Sequence, residues 1–326
     1  MQIGIIGLPN VGKSTFFNAL TKAHASVADY PFTTIEPNVG IVPVPDERLA
    51  KLGMLYKPQK LTPTSIRFVD IAGLVKGASK GEGLGNKFLS HIREMDALIQ
   101  IVGCFRENCD PVSEVETVRV ELLLADLDVI NRKISSVSPR AKCGIKEAKE
   151  ELDKLYFSKA EIEKGNSVQA VPEELNLLTS IPVIYAANVR DISGKIPEIA
   201  YRLIPINAKL ECEITELSEE EKKELQVESN IGGLIESGYK ILDLITFYTT
   251  VGTEIRAWKL KSGKNIQQAA GHVHTDFEKN FIKAEVFNFS EIEKFGSEKI
   301  LHEKGLVRIE GKDYIVKDGD IIRIKI

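Results

Sequence analysis

Apolar positions along this chain recur in short runs of strand character and in longer stretches at helical spacing, the signature of an α/β protein. Ile3, Ile5 and Ile6 predict a buried strand, and Phe16-Phe17-Asn18-Ala19-Leu20 begins a helix soon after. Ile66-Arg67-Phe68-Val69-Asp70 predicts another buried strand that ends in an acid. Phe88 to Met95 predicts a helix, and Ala97 to Val102 the strand that follows. Ser113-Glu114-Val115-Glu116 reads as a capping box opening a long helix. Val115, Val118, Leu122, Ala125 and Val129 then recur at alternating steps of three and four, and Ile145, Ala148, Leu152 and Leu155 repeat the spacing. Pro139 and Gly144 are expected to break these two runs apart, giving an antiparallel helical pair zipped along apolar seams. Ile181 to Ala187 returns to strand character. Alternating strands and helices imply a mainly parallel sheet with its ligand at the strand C-termini.

The second half reads differently. Glu211 to Glu228 is strongly acidic, and Ser218 with Glu221 makes a further capping box, so a solvated helical linker is expected. Past Leu242, Ile255 to Leu260 and Lys283 to Phe287 predict strands. Leu306 to Val316 predicts a closing hairpin around Gly311-Lys312. Together these make a small α+β unit with its own core.

Length and charge narrow the picture. The 326 residues exceed one ordinary core, and 43% hydrophobic with 28% charged residues describes a soluble globular chain. A formal net charge of -4 supplies no global field for nucleic acid, and sequence-specific DNA binding is not expected. No apolar run is long enough to span a bilayer, and Met1 leads straight into the first strand without room for a signal peptide. Cys104, Cys109, Cys143 and Cys212 are scattered without a C-x-x-C pair, which fits a reducing cytoplasm.

The chemistry concentrates in Gly7-Leu8-Pro9-Asn10-Val11-Gly12-Lys13-Ser14-Thr15, the phosphate-loop pattern G-x-x-x-x-G-K-[ST] set between a predicted strand and helix. Gly7 and Gly12 let the backbone wrap a phosphate so that N–H groups and a helix N-terminus face negative charge. Lys13 would reach the β- and γ-phosphates and Ser14 would place its hydroxyl on Mg²⁺. Asp29 to Gly40, with Pro31 and Pro37, reads as an irregular loop in which Thr33 or Thr34 would complete the Mg²⁺ shell. Asp70-Ile71-Ala72-Gly73 is a D-x-x-G arrangement: Asp70 would bind Mg²⁺ through water, and the Gly73 N–H would hydrogen-bond the γ-phosphate. Leu74 stands where many GTPases carry a water-orienting glutamine, so slow intrinsic turnover is expected. Gly77, Gly81, Gly83 and Gly85 suit a segment that orders with the triphosphate.

Asn188-Val189-Arg190-Asp191 resembles the base-reading N-K-x-D of GTPases, with valine for the lysine, and Asn207-Ala208-Lys209 sits where a last base-contacting loop would be. Arg132, Lys133, Arg140, Lys142 and Lys146 cluster near the tip of the helical pair, either as a fingertip for RNA or as a solvated surface. His272 and His274 lie close without a third ligand and read as loop histidines.

Taken together these motifs resemble the YchF/Obg-like ATPase family. The likeness rests on the loop at 7–15, on Tyr30-Pro31-Phe32-Thr33-Thr34-Ile35-Glu36-Pro37-Asn38 and on Val44-Pro45-Asp46-Glu47-Arg48-Leu49. It extends through Asp70 to Ala78 with Gly81-Glu82-Gly83-Leu84-Gly85-Asn86. In the tail it covers Arg256-Ala257-Trp258, Gln268-Ala269-Ala270-Gly271, His274 to Lys279 and Glu310-Gly311-Lys312-Asp313-Tyr314. The resemblance implies a P-loop G domain over residues 1–120 and 178–212, with an inserted α-helical coiled-coil arm over 121–177. It further implies a linker over 213–242 and a C-terminal TGS domain of ubiquitin-like β-grasp fold over 243–326. It implies a cytoplasmic, monomeric, Mg²⁺-dependent ATPase associated with ribosomes or ribosomal RNA. By position Ser14 and Thr34 become metal ligands alongside Asp70, nucleotide contacts run through Asn10, Val11, Gly12, Lys13, Ser14 and Thr15, and Asn10 matches an asparagine used with K⁺. Lys13 and Gly73 would carry catalysis.

Two departures stand out against the family. Its base-reading loop usually ends in glutamate, whereas Asp191 stands here, and the segment from Val102 to Ser113 is short. Aspartate suits the guanine N1–H and 2-amino donors, but the missing lysine weakens that case, so ATP is the expected substrate and GTP the alternative. A nucleotide-independent RNA- or protein-binding adaptor is the reading from another class.

Overall fold

The computed structural model describes residues 1–22, 38–71, 84–168, 175–192, 194, 196–225, 227 and 229–326, without the side chains of 84–87, 219 and 251. The chain opens with β1 (Gln2–Ile6), α1 (Lys13–Lys22), β2 (Asn38–Pro43), α2 (Glu47–Tyr56), β3 (Lys60–Thr62) and β4 (Ser65–Asp70). There follow α3 (Leu84–Arg93), β5 (Ala97–Gly103), α4 (Pro111–Lys142), α5 (Lys146–Glu163), β6 (Val183–Asn188), β7 (Leu203–Ile206) and α6 (Ala208–Ile214). Next come α7 (Glu219–Leu225), α8 (Ile231–Ile241), β8 (Leu244–Val251), β9 (Glu254–Lys261), α9 (Ile266–Val273) and α10 (Thr275–Lys279). The chain closes with β10 (Lys283–Asn288), α11 (Phe289–Phe295), α12 (Glu298–Glu303), β11 (Arg308–Glu310) and β12 (Asp320–Lys325). Two compact units result: Met1–Ile41 with Arg67–Ile231, and Val42–Ile66 with Gly232–Ile326.

The first unit is built on a sheet of order β2-β4-β1-β5-β6-β7, in which β1 pairs in parallel with β4 and β5, and β6 with β5 and β7. This is the expected mainly parallel sheet. Every residue of β5 is buried, as befits a central strand covered on both faces. Strand order diverges on either side of β1, so the loop after β1 opens at a switch point, where parallel sheets bind ligands. The register Ile5↔Asp70 brings the acid at the end of β4 beside the C-terminal end of β1. Asn38-Val39-Gly40, expected as loop, lie within β2, and residues 29–37 fall outside the described residues.

The helical pair forms, with three corrections. Helix α4 is capped by Asp110, whose Oδ1 accepts the Ser113 N–H at 3.0 Å, and Pro111 fills the first helical position, so Ser113 is not the cap. Pro139 lies inside the last turn and the break falls at Cys143 and Gly144, whose φ is +86°. A proline this close to the end removes one N–H and clashes little, so the helix continues past it. The arm boundary at 121 also falls mid-helix. Val118, Leu122 and Ala125 pack against β-sheet residues Ile6, Val69 and Leu98, whereas Leu123, Ile130, Val137 and Ala141 meet Ala148 and Leu155 of α5. At their shared root the fully buried Asp126 accepts the N–H groups of Leu178 (2.8 Å) and Thr179 (2.9 Å) and the Thr179 hydroxyl (2.8 Å). Burial pushes its carboxyl up from the usual range, and the three donors oppose that shift. Asp126→Ala leaves the buried N–H of Leu178 and the half-buried N–H of Thr179 without their acceptor and is expected to lower unfolding free energy by about 1–3 kcal/mol in urea titrations.

The second unit holds a sheet of order β11-β10-β12-β8-β9-β3. Residues 42–66, expected within the first domain, belong here. β3 pairs in parallel with β9 from Lys60↔Glu254 to Thr62↔Arg256, and Leu49 and Leu52 of α2 enter a core with Tyr248, Phe287, Ile292 and Leu301. Asp46 caps α2 and accepts the Tyr248 hydroxyl, and Arg48 pairs with Asp318 at 2.6 Å. The unit also begins earlier than residue 243. Helix α8, expected as solvated linker, is apolar and buried at Leu234, Ile235 and Tyr239, a spacing that marks one helix face. The Ser218–Glu221 capping box does form ahead of it: the Glu221 carboxylate accepts the Ser218 N–H at 2.8 Å. The expected hairpin over 306–316 does not form. β11 pairs antiparallel with β10, and β10 pairs on its other side with β12, so the tail's two strands never meet.

Candidate active site

The loop from Gly7 to Gly12 leaves the sheet after fully buried Ile5 and Ile6 and turns directly into α1, where the Phe16 N–H donates to the Gly12 carbonyl at 2.9 Å. The N–H groups of the helix's first turn have no partner within the helix and face the loop's concavity. A cavity of about 440 Å³ is lined there by Leu8, Pro9, Asn10 and Gly12 to Thr15. Gly12 sits at φ +93°, and a Cβ on it would lie 2.2 Å from the Asn188 Nδ2, so only glycine permits the approach. Asn10 adopts φ +64°, a left-handed conformation that asparagine tolerates better than most residues.

Three further segments converge on this loop. Asp70 arrives from β4, its Oδ1 2.7 Å from the Lys13 Nζ, with both side chains nearly buried. Asn188, at the end of β6, donates from Nδ2 to the Val11 carbonyl at 2.9 Å and accepts the Ala208 N–H on Oδ1 at 3.1 Å. Asn207 caps α6 by accepting the Leu210 N–H and donates to the Arg190 carbonyl at 2.7 Å. A second cavity of about 610 Å³ adjoins, lined by Gly12, Thr15, Phe105, Asn188, Val189, Arg190 and Asn207 to Leu210 with Glu213. The two asparagine segments read from the sequence as base-contacting are thus brought together with the loop's C-terminal half. Asp191 is exposed and is not among the described residues lining this cavity. Thr33, Thr34, Gly73, Leu74, Gly77, Gly81 and Gly83 lie outside the described residues, and Gly85 falls in the first turn of α3.

The turn after β5 was missed. Phe105 lines the larger cavity, and Arg106 stacks on its ring at 5.3 Å while donating from Nη2 to the Asn10 carbonyl at 2.8 Å. Glu114 closes the turn by accepting the Gly103 N–H at 2.8 Å; burial pushes its carboxyl up, against the pull of that N–H and of Arg106. Burial likewise pushes the Cys104 thiol up to about 12, with Cys109 and Glu114 adding to it, so it is no nucleophile at neutral pH. The available signal was positional: this turn leaves the C-terminal end of a central parallel strand, the edge at which ligands bind.

Among the described residues no group of three or more His, Cys, Asp or Glu side chains gathers as a metal centre. His274 accepts the Asp276 N–H on Nδ1 at 3.1 Å and caps α10. The donors at the loop are of another kind. The Ser14 hydroxyl and the Asp70 carboxylate are hard oxygen ligands beside a phosphate-sized concavity, a set that fits Mg²⁺ sharing its shell with phosphates and water. Among the described residues no helix is long and apolar enough to cross a membrane.

A family model described as a 50S ribosome-binding GTPase matches residues 2–134, and one for a YchF-GTPase C-terminal region, described as a protein of unknown function (DUF933), matches residues 244–326. The ribosome-binding ATPase YchF of Haemophilus influenzae is 44% identical, over 99% of this chain and 98% of that protein. Its counterpart in Bacillus subtilis is also 44% identical, over 100% of this chain and 99% of that protein. The structure of the Schizosaccharomyces pombe YchF GTPase is similar at a TM-score of 0.87 and 33% identity, covering 100% of this chain and 97% of that one. With both ends of the chain matched and full-length likeness in sequence and structure, this protein belongs to the YchF family of P-loop proteins.

Proposed function

We propose that this chain binds ATP with Mg²⁺ on the loop from Asn10 to Thr15, hydrolyses it slowly, and reports the nucleotide state to the ribosome. The observation that carries the reading is the Lys13–Asp70 pair, 2.7 Å apart beside a helix N-terminus whose loop Asn188 holds from behind. An ammonium and a carboxylate set there serve two ends of one substrate. Lys13 would reach the β- and γ-phosphates, Ser14 and Thr34 would ligate the metal, and Asp70 would hold it through water. Bound Mg²⁺ would neutralise charge on the phosphate oxygens. The Gly73 N–H would grip the γ-phosphate, and Lys13 with the loop amides would stabilise the charge that develops in transfer. Asn10 is the candidate contact for K⁺.

Ribosome and ATP both appear in the names of the curated relatives, and 44% identity over the whole chain supports carrying them across. The basic arm tip supports an RNA contact: Arg132, Arg140 and Lys142 are exposed there, while Lys133 pairs with Glu151 at 3.0 Å. The mixed sheet of the second unit supports the TGS reading. Such a protein works in the cytoplasm, as a monomer. GTP is the second reading, favoured by Asp191 and by the GTPase named in the structural relative. Binding of ATP and GTP to the purified chain, with Mg²⁺ and with K⁺ or Na⁺, separates the two. Tighter ATP binding is expected, because Val189 brings no lysine to the base; a preference for GTP would overturn the ATP assignment and keep the switch.

A further inference from the structure

We propose that Arg106 is a positioning residue for phosphate binding, acting through the Asn10 peptide rather than on the nucleotide. A trans peptide is planar, so its C=O and the following N–H point in opposite directions, and whatever holds the carbonyl aims the amide. Three successive carbonyls of this loop are held. The Gly12 carbonyl accepts the Phe16 N–H at 2.9 Å, the Val11 carbonyl accepts the Asn188 Nδ2 at 2.9 Å, and the Asn10 carbonyl accepts the Arg106 Nη2 at 2.8 Å. The amides turned the other way are those of Lys13, Gly12 and Val11, successive donors of the phosphate loop. The first hold is part of a helix and the second is a buried asparagine. The third comes from an exposed guanidinium on the turn after β5, flattened on Phe105 and drawn by Glu114. It acts on the peptide that follows Asn10, whose φ of +64° is the least relaxed of the non-glycine residues in the loop. Among the described residues Arg106 is the cation whose hydrogen bond holds a backbone carbonyl of this loop.

This inference rests on the nucleotide reading of the loop, and the experiment keeps the two apart. Binding of Mg²⁺–ADP and Mg²⁺–ATP is measured by calorimetry on the full chain for the wild type, Arg106→Ala and Arg106→Lys, with thermal unfolding of each without nucleotide. Loss of a charge-assisted hydrogen bond predicts about tenfold weaker binding of both nucleotides in Arg106→Ala. The KM for ATP rises by the same factor while kcat holds, and Arg106→Lys restores most of the affinity. The unfolding temperature stays at the wild-type value, because Arg106 is exposed. Wild-type affinity in Arg106→Ala overturns the proposal, as does a weakening that comes with a lower unfolding temperature and that lysine does not repair. A wild-type chain that binds neither nucleotide overturns the nucleotide reading itself, and this inference with it.

Discussion

Lys13→Ala is expected to lower turnover of Mg²⁺–ATP by about 10²–10³-fold, the usual cost of removing one preorganised charge donor from a phosphoryl- or acyl-transfer site. The residue opens α1 with its ammonium 2.7 Å from Asp70, and its side chain is only 10% exposed. That placement means the substitution has a second effect. Asp70, 8% exposed, loses its cation, and breaking a pair this buried costs about 3–5 kcal/mol of stability. The two effects separate in a double variant. Lys13→Ala with Asp70→Asn removes the stranded charge, so urea unfolding is expected to return toward the wild type while phosphate release stays low. Turnover that survives in Lys13→Ala would remove the lysine from the reaction, whereas partner binding that survives in the variant with no effect of nucleotide would favour the adaptor reading.

Gly12→Ala is expected to disable the loop by a different route. At φ +93° an alanine is strained by about 1–2 kcal/mol. Its Cβ would fall 2.2 Å from the Asn188 Nδ2, and Asn188 is buried between two partners. To make room, the asparagine must release the Val11 carbonyl or the Ala208 N–H, and a buried group left unpaired costs about 1–3 kcal/mol. The amide of residue 12 then loses the carbonyl hold that aimed it. ADP affinity in Gly12→Ala should therefore fall further than in Arg106→Ala. Asn188→Ala added to it should cost less than the two single changes summed, since the clash disappears with the side chain. Strict additivity of the two would mean that the close approach does not govern the loop.

Much of this site could be read from sequence because phosphate binding is a local property. The pattern for it occupies nine consecutive residues, Gly7 to Thr15, and the strand before and the helix after that place the loop are themselves readable from local spacing. Asp70 and Asn188 were legible for a related reason: each ends an apolar run, and the ends of parallel strands line up along one edge. Arg106 was not legible. Its bond to Asn10 joins residues 96 apart, and neither Cys104-Phe105-Arg106 nor its neighbours carry a spacing that announces it. Helix α8 shows the opposite failure: its apolar stripe was present in Ile231, Leu234 and Ile235 but was eclipsed by the acidic run before it.

Periodicity and contiguous motifs settled which segments are strands, helices and phosphate loop, because those depend on neighbours a few residues apart. Partnership across long separations waited for the folded chain. Residues 47–62 have unremarkable helix and strand patterns, and nothing local tells β3 to pair with β9 nearly two hundred residues later. Nor does anything local keep β11 from pairing with the strand that follows it, when β10 offers an antiparallel edge instead. Those choices follow from which apolar faces and unpaired backbone edges can be satisfied together, a balance taken over whole units rather than along the chain.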